Sequence, residues 1–221
     1  MAESVSKTLY LQTILELSGG NQSTQIPNNQ IAEHLHVTPS SVSNMMTKLQ
    51  DSGEVNVEPY YGVTLTAKGR KTALKLIRSH RLFEVFLGAK LQLSLSETHR
   101  NADNLDHDAD EKMINALDDF LEHPQYCPHG LLIPDAEFDY HPVHYKKLSE
   151  LSAGDQFRVN SFIEDIELLQ YLELVHFPLH STWSLQGQLP FEGPLLLEHT
   201  VSHEQVQITH HAADFIFIER I

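Results

Sequence analysis

The chain has 221 residues and a formal net charge of -15, and Cys127 is its only cysteine. A single cysteine excludes an intramolecular disulfide. The sequence contains no run of about twenty apolar residues, the pattern that would predict a membrane-spanning helix. The start, MAESVSKTLY, lacks the basic and then apolar layout of an export signal, so we expect a cytoplasmic protein without a membrane partner. A chain of this length predicts two or three compact units.

The negative charge is unevenly distributed. Residues 1 to 70 hold four Lys/Arg against six Asp/Glu, so the first third of the chain is nearly neutral. Residues 71 to 142 hold seven against thirteen, and residues 143 to 221 hold four against eleven. Nonspecific affinity for DNA comes largely from Lys and Arg on phosphates, so the overall charge alone would argue against DNA. The distribution removes that objection for the N-terminal third, and a bound dication would offset part of the charge elsewhere.

The first elements have the pattern of a helix-turn-helix. Apolar residues at near-helical intervals predict one helix over Lys7 to Leu17 and a second over Asn28 to Leu35, capped by its first residue. Thr38 is predicted to cap a third helix. That helix would begin at Pro39, the position where a missing N–H costs least.

The third helix is the candidate recognition helix. Its predicted buried stripe is Val42, Met45 or Met46, and Leu49. The candidate DNA-contacting residues are Thr38, Pro39, Ser40, Ser41, Ser43, Asn44 and Lys48. Because most of them lie near the helix start, which reaches base edges, we expect Ser40, Ser41 and Asn44 to read bases. Pro39 would touch a thymine methyl and Lys48 a phosphate.

A β-wing is predicted after this helix. Two short alternating stretches, Glu54 to Pro59 and Val63 to Thr66, are joined through Tyr60-Tyr61-Gly62. The wing would contact phosphate or the minor groove. A three-helix unit can be purely structural, but two helices, a capped third and a hairpin in this order favour binding of double-stranded DNA.

Helical periodicity continues beyond the wing. It predicts helices from Ala67 to about Leu87, from Ser96 to about Asp110, and from Asp110 to Glu122. The last helix has a set of apolar residues on one side, Met113, Ile114, Leu117, Phe120 and Leu121. Such helices beyond a DNA-reading unit usually form a dimer interface, so we expect a homodimer.

The last part of the chain predicts a small β-barrel, because short alternating stretches are separated by Gly, Pro and polar residues. Its predicted strands are Asp155 to Phe162, Ser181 to Leu185, Leu195 to His199, Gln205 to Thr209 and Phe215 to Glu219. One helix, Glu164 to Leu174, lies between the first two, and Tyr140 to Tyr145 is the predicted linker. The fold class is therefore α+β, with domains at residues 1 to 72, 73 to 141 and 142 to 221.

Three sets of metal donors fall in the predicted helical domain. They are His80 with Glu84; Asp103 with Asp106 and His107; and Cys127 with His129. Within the first two sets, helical spacing places the donors on one side of a helix. One acidic set alone is usually a solvated face, but the convergence of three favours a site for Mn²⁺, Fe²⁺, Co²⁺ or Zn²⁺.

Two other functions stay open at this point. A winged-helix regulator that senses a non-metal ligand would leave the His/carboxylate sets unpaired. A metal-dependent enzyme could use the same donors around an open coordination position, although nothing in the sequence resembles a general base or nucleophile presented in a cleft.

Several runs of the sequence resemble a known family. NQIAEHLHVTPSSVSNM from Asn29, GVTLTAKG from Gly62 and SHRLFE from Ser79 resemble the diphtheria-toxin-repressor family of metal-dependent regulators. EHPQYCPHG from Glu122 is similar to its manganese-responsive branch in the longer three-domain form. The resemblance covers nearly the whole chain. It implies a homodimeric repressor of metal-uptake genes, a pseudo-palindromic operator, Mn²⁺ as the principal cation and an SH3-like barrel as the third domain.

The resemblance further implies two metal positions per subunit. The first uses Asp103, Asp106 and His107. The second uses His80, Glu84, Cys127 and His129, with Glu164 reaching across from the C-terminal domain. His99 matches a ligand position in the iron branch and is an additional donor candidate. Cys127 would contribute its carbonyl, which suits manganese, or its sulfur, which favours zinc.

The sequence departs from the family pattern in the first predicted helix. Leu9 stands where the family has an Asp or Met ligand, and Gln12 stands where some members carry Glu. We therefore expect the first metal position to have fewer donors, to bind metal weakly or to be vacant, and the second position to be the stronger candidate. The expected mechanism is that metal orders the dimerisation and C-terminal domains against each other and thereby raises the DNA-competent population.

Overall fold

The computed structural model describes residues 2–35, 37–106, 109–143 and 145–221. The chain divides into two compact units. The N-terminal unit comprises Met1–Phe83, Leu105–Gln125 and Ile133–Pro142, and the C-terminal unit comprises Glu84–Asn104, Tyr126–Leu132 and Val143–Ile221. The division into three domains at residues 72 and 141 stays a prediction.

A helix-turn-helix followed by a wing opens the N-terminal unit. Its elements are α1 (Ala2–Leu17), α2 (Asn28–His34), α3 (Pro39–Asp51), β1 (Val55–Glu58) and β2 (Gly62–Leu65). Thr38 caps α3 as predicted, since its Oγ1 accepts a hydrogen bond from the Ser41 N–H at 3.2 Å. The predicted cap by Asn28 is wrong, because Pro27 occupies the cap position and Asn28 is the first helical residue.

The core of this unit includes the stripe predicted for the recognition helix. Its four residues, Val42, Met45, Met46 and Leu49, are all buried. The wing hairpin pairs Val55 with Leu65 and Glu58 with Gly62. Gly62 has a positive φ of 129°, and a Cβ there would lie 2.4 Å from the carbonyl oxygen of Ile26. Only glycine therefore allows this close approach of the wing to the chain before α2.

Glu54 lies buried at the base of the wing. Its carboxylate accepts a hydrogen bond from the Ser52 hydroxyl and forms an ion pair with Lys7 of α1. Burial alone would raise the pKa of Glu54. The hydrogen bonds from Lys7 and Ser52, together with the positive charges of Lys7 and Lys68, outweigh burial and lower this pKa below its ordinary value of 4.5.

Replacing Glu54 by Gln is expected to lower the free energy of unfolding at neutral pH by about 1 to 3 kcal/mol, because a buried charged acceptor is lost. Since its pKa is lowered on folding, the stabilisation by Glu54 is present above the unfolded pKa and disappears as pH falls through the folded pKa. The difference in free energy of unfolding between wild type and Glu54→Gln should therefore shrink below about pH 4.5. Urea denaturation of both proteins across this range measures it, and a difference that does not change with pH would contradict the assignment.

Three more helices follow the wing. They are α4 (Ala67–Val85), α5 (Leu95–Leu105) and α6 (Glu111–Phe120). The chain leaves α-helical geometry after Val85, two residues before the predicted end of α4, because Phe86–Lys90 continues as a π-helical segment. Among the described residues, none of the helices combines the length and apolar character that crossing a membrane requires.

Helix α6 shows an apolar surface on a single copy of the chain. Asp110 caps it, with Oδ1 accepting a hydrogen bond from the Met113 N–H at 2.8 Å. Ile114 is buried, whereas Met113 is 52% exposed and Phe120 is 60% exposed. Met113 and Phe120 are seven residues apart and lie on the same side of the helix. Exposed apolar residues in this arrangement are typical of a surface that a second copy covers.

The C-terminal unit contains a six-stranded antiparallel sheet in the order β3-β8-β4-β5-β6-β7. The strands are β3 (Lys146–Lys147), β4 (Gln156–Phe162), β5 (Thr182–Gln188), β6 (Leu195–His199), β7 (Gln205–Ile208) and β8 (Ile216–Arg220). Two helices, α7 (Ile166–Leu174) and α8 (His210–Ala213), accompany the sheet. The α+β class and the five predicted strands are confirmed, and the sheet is consistent with an SH3-like domain.

Candidate metal centre and DNA-binding surface

Four donors predicted from the sequence come together in the C-terminal unit. They are Glu84, Cys127, His129 and Glu164, and one ligand atom from each lies within 4.8 Å of the others. This group is called the donor cluster below. Glu84 and His129 are completely buried, Cys127 is buried, and Glu164 is partly exposed. The cluster therefore combines two carboxylates, one imidazole and one thiol in a largely water-excluded position.

The loop of residues 126–132 carries two of these donors and is fixed against β4. Gly130 has a positive φ of 79°, and a Cβ at this position would lie 2.0 Å from the carbonyl oxygen of Asn160. The N–H of Phe162 donates a hydrogen bond to the carbonyl of His129 at 3.0 Å. Because glycine permits this close contact, the loop holds the His129 side chain at a defined position beside the strand.

The Glu84 carboxylate contacts two imidazoles, that of His129 inside the donor cluster and that of His99 beside it. Nδ1 of His129 lies 3.1 Å from Oε2 of Glu84, and Nδ1 of His99 lies 3.1 Å from Oε1 of Glu84. Burial alone would lower the pKa of His129, but the charge and hydrogen bond of Glu84 and the charge of Glu164 raise it above its ordinary value. A cation at His129 would therefore compete with a proton that these carboxylates favour. His99, the additional donor candidate, thus lies next to the cluster.

Cys127 presents its sulfur to the cluster. Sγ lies 3.7 Å from Nδ1 of His129 and 3.8 Å from Oε1 of Glu164. The carbonyl oxygen of Cys127 accepts a hydrogen bond from the N–H of Gly130 at 2.9 Å. The sulfur is therefore the Cys127 atom grouped with the other three donors, and ligation through the carbonyl stays a prediction.

The remaining predicted donors have other neighbours. Nδ1 of His80 lies 2.9 Å from Oδ2 of Asp106, and both side chains are buried. The structure thus pairs His80 with a carboxylate that the resemblance assigned to the other metal position. The Asp103 side chain is 59% exposed, and its Oδ2 lies 3.9 Å from Nε2 of His99. His107 lies outside the described residues.

Helix α1 has apolar and amide side chains at the two positions where the family pattern has ligands. Leu9 is 49% exposed. Gln12 donates a hydrogen bond from Nε2 to Oε1 of Glu16 at 3.2 Å. Neither side chain offers a carboxylate or sulfur donor, so the first metal position still has the smaller set of predicted ligands.

The candidate DNA-contacting residues of α3 form an exposed surface. All seven are exposed, namely Thr38, Pro39, Ser40, Ser41, Ser43, Asn44 and Lys48. Some of their hydroxyls already have protein partners, since Oγ1 of Thr38 lies 2.9 Å from Oγ of Ser40 and Ser43 donates to the Pro39 carbonyl at 3.0 Å. The Asn44 amide makes no hydrogen bond to another described residue. It is therefore the strongest candidate for the two-bond contact that Asn makes with adenine.

Two family models match the chain. Residues 4–63 match the iron dependent repressor N-terminal DNA binding domain, and residues 66–135 match the iron dependent repressor metal binding and dimerisation domain. The chain is also 28% identical over 168 residues to the diphtheria toxin repressor of Corynebacterium efficiens, a match that covers 73% of this chain and 71% of that protein.

A solved structure extends the similarity over the whole length. The manganese regulator SloR matches with a TM-score of 0.79 and 33% identity, over 97% of this chain and 98% of that chain. This chain belongs to the iron-dependent repressor family. ScaR with bound Zn²⁺ is another similar structure, with a TM-score of 0.82 and 30% identity over 97% of this chain and 99% of that chain.

Membership of the iron-dependent repressor family confirms the resemblance to the diphtheria toxin repressor. The two domains recognised in this repressor are defined by DNA binding, metal binding and dimerisation, and none of these is an enzymatic activity. The winged helix-turn-helix, the helical dimerisation domain and the C-terminal sheet agree with this membership.

Proposed function

We propose that this repressor binds its operator as a homodimer when a divalent cation, principally Mn²⁺, occupies the cluster of Glu84, Cys127, His129 and Glu164. The buried convergence of these four donors is the observation that carries the proposal. Taking charged groups out of water costs several kcal/mol per ion, and a dication among the two carboxylates, the imidazole and the thiol would offset part of that cost. The donor types fit a borderline divalent cation.

The donor cluster joins segments that are distant in the sequence. Glu84 comes from α4, Cys127 and His129 from the loop of residues 126–132, and Glu164 from the chain between β4 and α7. A bound dication supplies the positive charge that holds these donors together. The dication raises the population of DNA-competent protein only if it binds that conformation more tightly than the others. The ordered arrangement of these segments must therefore be the conformation that binds DNA.

The choice of Mn²⁺ rests on similarity to the manganese regulator SloR, and the Cys127 sulfur leaves Fe²⁺, Co²⁺ and Zn²⁺ as alternatives. ScaR, another similar protein, has been solved with bound Zn²⁺. A thiolate is a soft ligand that favours zinc, whereas carboxylates suit manganese. With both donor types present, the cation available in the cell would decide occupancy.

Replacing Cys127 by Ser is expected to lower the affinity for Zn²⁺ by more than about tenfold and the affinity for Mn²⁺ much less, because only the soft donor is lost. Titration of purified protein in competition with a chromophoric chelator measures both affinities. Equal losses for the two cations would show that the sulfur does not determine cation preference.

The DNA-binding proposal places one α3 helix of each subunit in successive major grooves of a pseudo-palindrome. Ser40, Ser41 and Asn44 would read bases, and Lys48 and the wing would contact the backbone or the minor groove. The genes controlled would be metal-uptake genes, in line with the resemblance of the sequence.

Selection of genomic DNA fragments by the purified protein tests this function. With Mn²⁺ we expect enrichment of a few fragments that contain inverted repeats, and with chelator we expect none. Recovery of the same fragments under both conditions would support a repressor that responds to a non-metal ligand. Failure to enrich any fragment would contradict operator binding.

A further inference from the structure

Glu173 of α7 contacts the beginning of α5. Its Oε1 accepts a hydrogen bond from the N–H of Ser96 at 2.8 Å, and its Oε2 accepts one from the Ser96 hydroxyl at 3.0 Å. Ser96 is 4% exposed, so its polar groups have little access to water. The first four N–H groups of a helix have no partner within the helix, and Glu173 supplies one for this buried amide.

The first turn of α5 is held from within the helix as well. The Glu97 N–H donates to the Ser94 hydroxyl at 3.4 Å, and the Ser94 N–H donates to Oε2 of Glu97 at 3.1 Å. This is the reciprocal arrangement of a capping box. Because the capping box leaves the Ser96 N–H to another acceptor, Glu173 completes the cap from a different helix. Its negative charge also lies at the positive end of the α5 dipole.

The same turn contacts the donor cluster at two points. Nε2 of His129 lies 3.4 Å from the carbonyl oxygen of Leu95. His99 follows Ser96 by three residues, so it lies on the same side of α5, and its ring reaches Glu84. A shift of this turn would therefore move a neighbour of His129 and a neighbour of Glu84 together.

We propose that Glu173 is a positioning residue for the donor cluster, acting through the first turn of α5 on His129 and His99. The proposal rests on the proposed function, because it takes the cluster as the cation site. Among the described residues, the side chain of Glu173 bonds to Ser96 and to none of the four donors. It makes cation affinity depend on α7, the helix that packs on the C-terminal sheet.

The test compares Glu173→Gln with Glu167→Gln, an exposed glutamate on the same helix, and uses Co²⁺ as a spectroscopic probe. Glu173→Gln is expected to weaken Co²⁺ binding by about 10- to 100-fold, the usual effect of losing a group that orients metal ligands. It should also shift the absorption bands of the Co²⁺-saturated protein and speed hydrogen exchange of the Ser96 amide in metal-free protein. Glu167→Gln should leave all three unchanged.

A second variant covers the case in which Glu173→Gln does not fold. Ser96→Ala removes the bond between the hydroxyl and Oε2 of Glu173 and the longer contact of 3.4 Å with the Ser94 hydroxyl, but it keeps the bond from the Ser96 N–H to Glu173, so we expect smaller changes in the same direction. Faster exchange with unaltered Co²⁺ affinity and spectrum would overturn the positioning role, and so would no change in any readout. If wild type binds no Co²⁺, the proposed function fails and this proposal fails with it.

Discussion

Replacing His129 by Ala is expected to lower the affinity for Mn²⁺ or Co²⁺ by more than about 100-fold, because loss of groups that merely orient ligands already costs about 10- to 100-fold. His129 is buried, and it lies against Glu84 and near Cys127. Its removal takes away the only imidazole among the four donors and one of the two imidazoles that lie 3.1 Å from the Glu84 carboxylate. Isothermal titration of metal-free protein measures the loss.

The matched control is His210→Ala, since His210 is exposed in the same unit. This variant should keep wild-type cation affinity. His129→Ala should also lose the increase in operator affinity that cation produces in wild type, because occupancy and DNA binding are coupled. If His129→Ala keeps this increase at the cation concentration that activates the wild-type protein, the regulatory cation binds at another site.

Replacing Asn44 by Ala is expected to weaken binding to the operator by about 1 to 3 kcal/mol, which corresponds to about 5- to 150-fold. The Asn44 amide is exposed on α3 and makes no hydrogen bond to another described residue, so the substitution removes a contact to DNA without leaving a protein group unpaired. Fluorescence anisotropy with labelled operator at saturating cation measures the change.

Gln50→Ala is the control, because Gln50 is an exposed amide at the C-terminal end of the same helix, away from the part that reaches bases. Asn44→Ala should leave the salt dependence of binding unchanged, since a base contact releases no counterions. An equal loss of affinity for operator and for unrelated DNA would contradict a base-reading role for Asn44.

The sequence predicted the DNA-binding elements well because their signals are local. The cap at Thr38, the Pro39 start and the apolar stripe of α3 all follow from residues close together in the chain. The Asn28 cap failed for a local reason too, since Pro27 takes the cap position. Strand β3 and helix α8 were missed because they are too short to show a periodic pattern.

The donor cluster was only partly predictable from residue patterns. Helical spacing shows which residues share one side of a helix, but it does not show which side chain they meet on another element. The pair of His80 with Asp106 is therefore a structural finding, and Glu164 entered the predicted set through family resemblance. Glu173 had no sequence signal, because a single glutamate on an amphipathic helix looks like any solvated residue.

The predicted linker begins with a residue that is part of the N-terminal unit. Tyr140 is buried, its carbonyl accepts a hydrogen bond from Arg70 at 3.1 Å, and its hydroxyl accepts one from Arg81 at 3.3 Å. The chain passes for the last time from the N-terminal unit to the C-terminal unit after Pro142. The sequence predicted a connection here, but only the tertiary contacts show where it starts.

Control of this repressor by a divalent cation is tested most directly by the affinity of wild-type protein for its selected operator, measured by anisotropy first with chelator and then with Mn²⁺. We expect Mn²⁺ to raise this affinity by at least about tenfold, within the usual range of coupling between two binding sites. We expect no such increase for unrelated DNA. Equal operator affinity with chelator and with Mn²⁺ would contradict the claim that this repressor is controlled by a divalent cation.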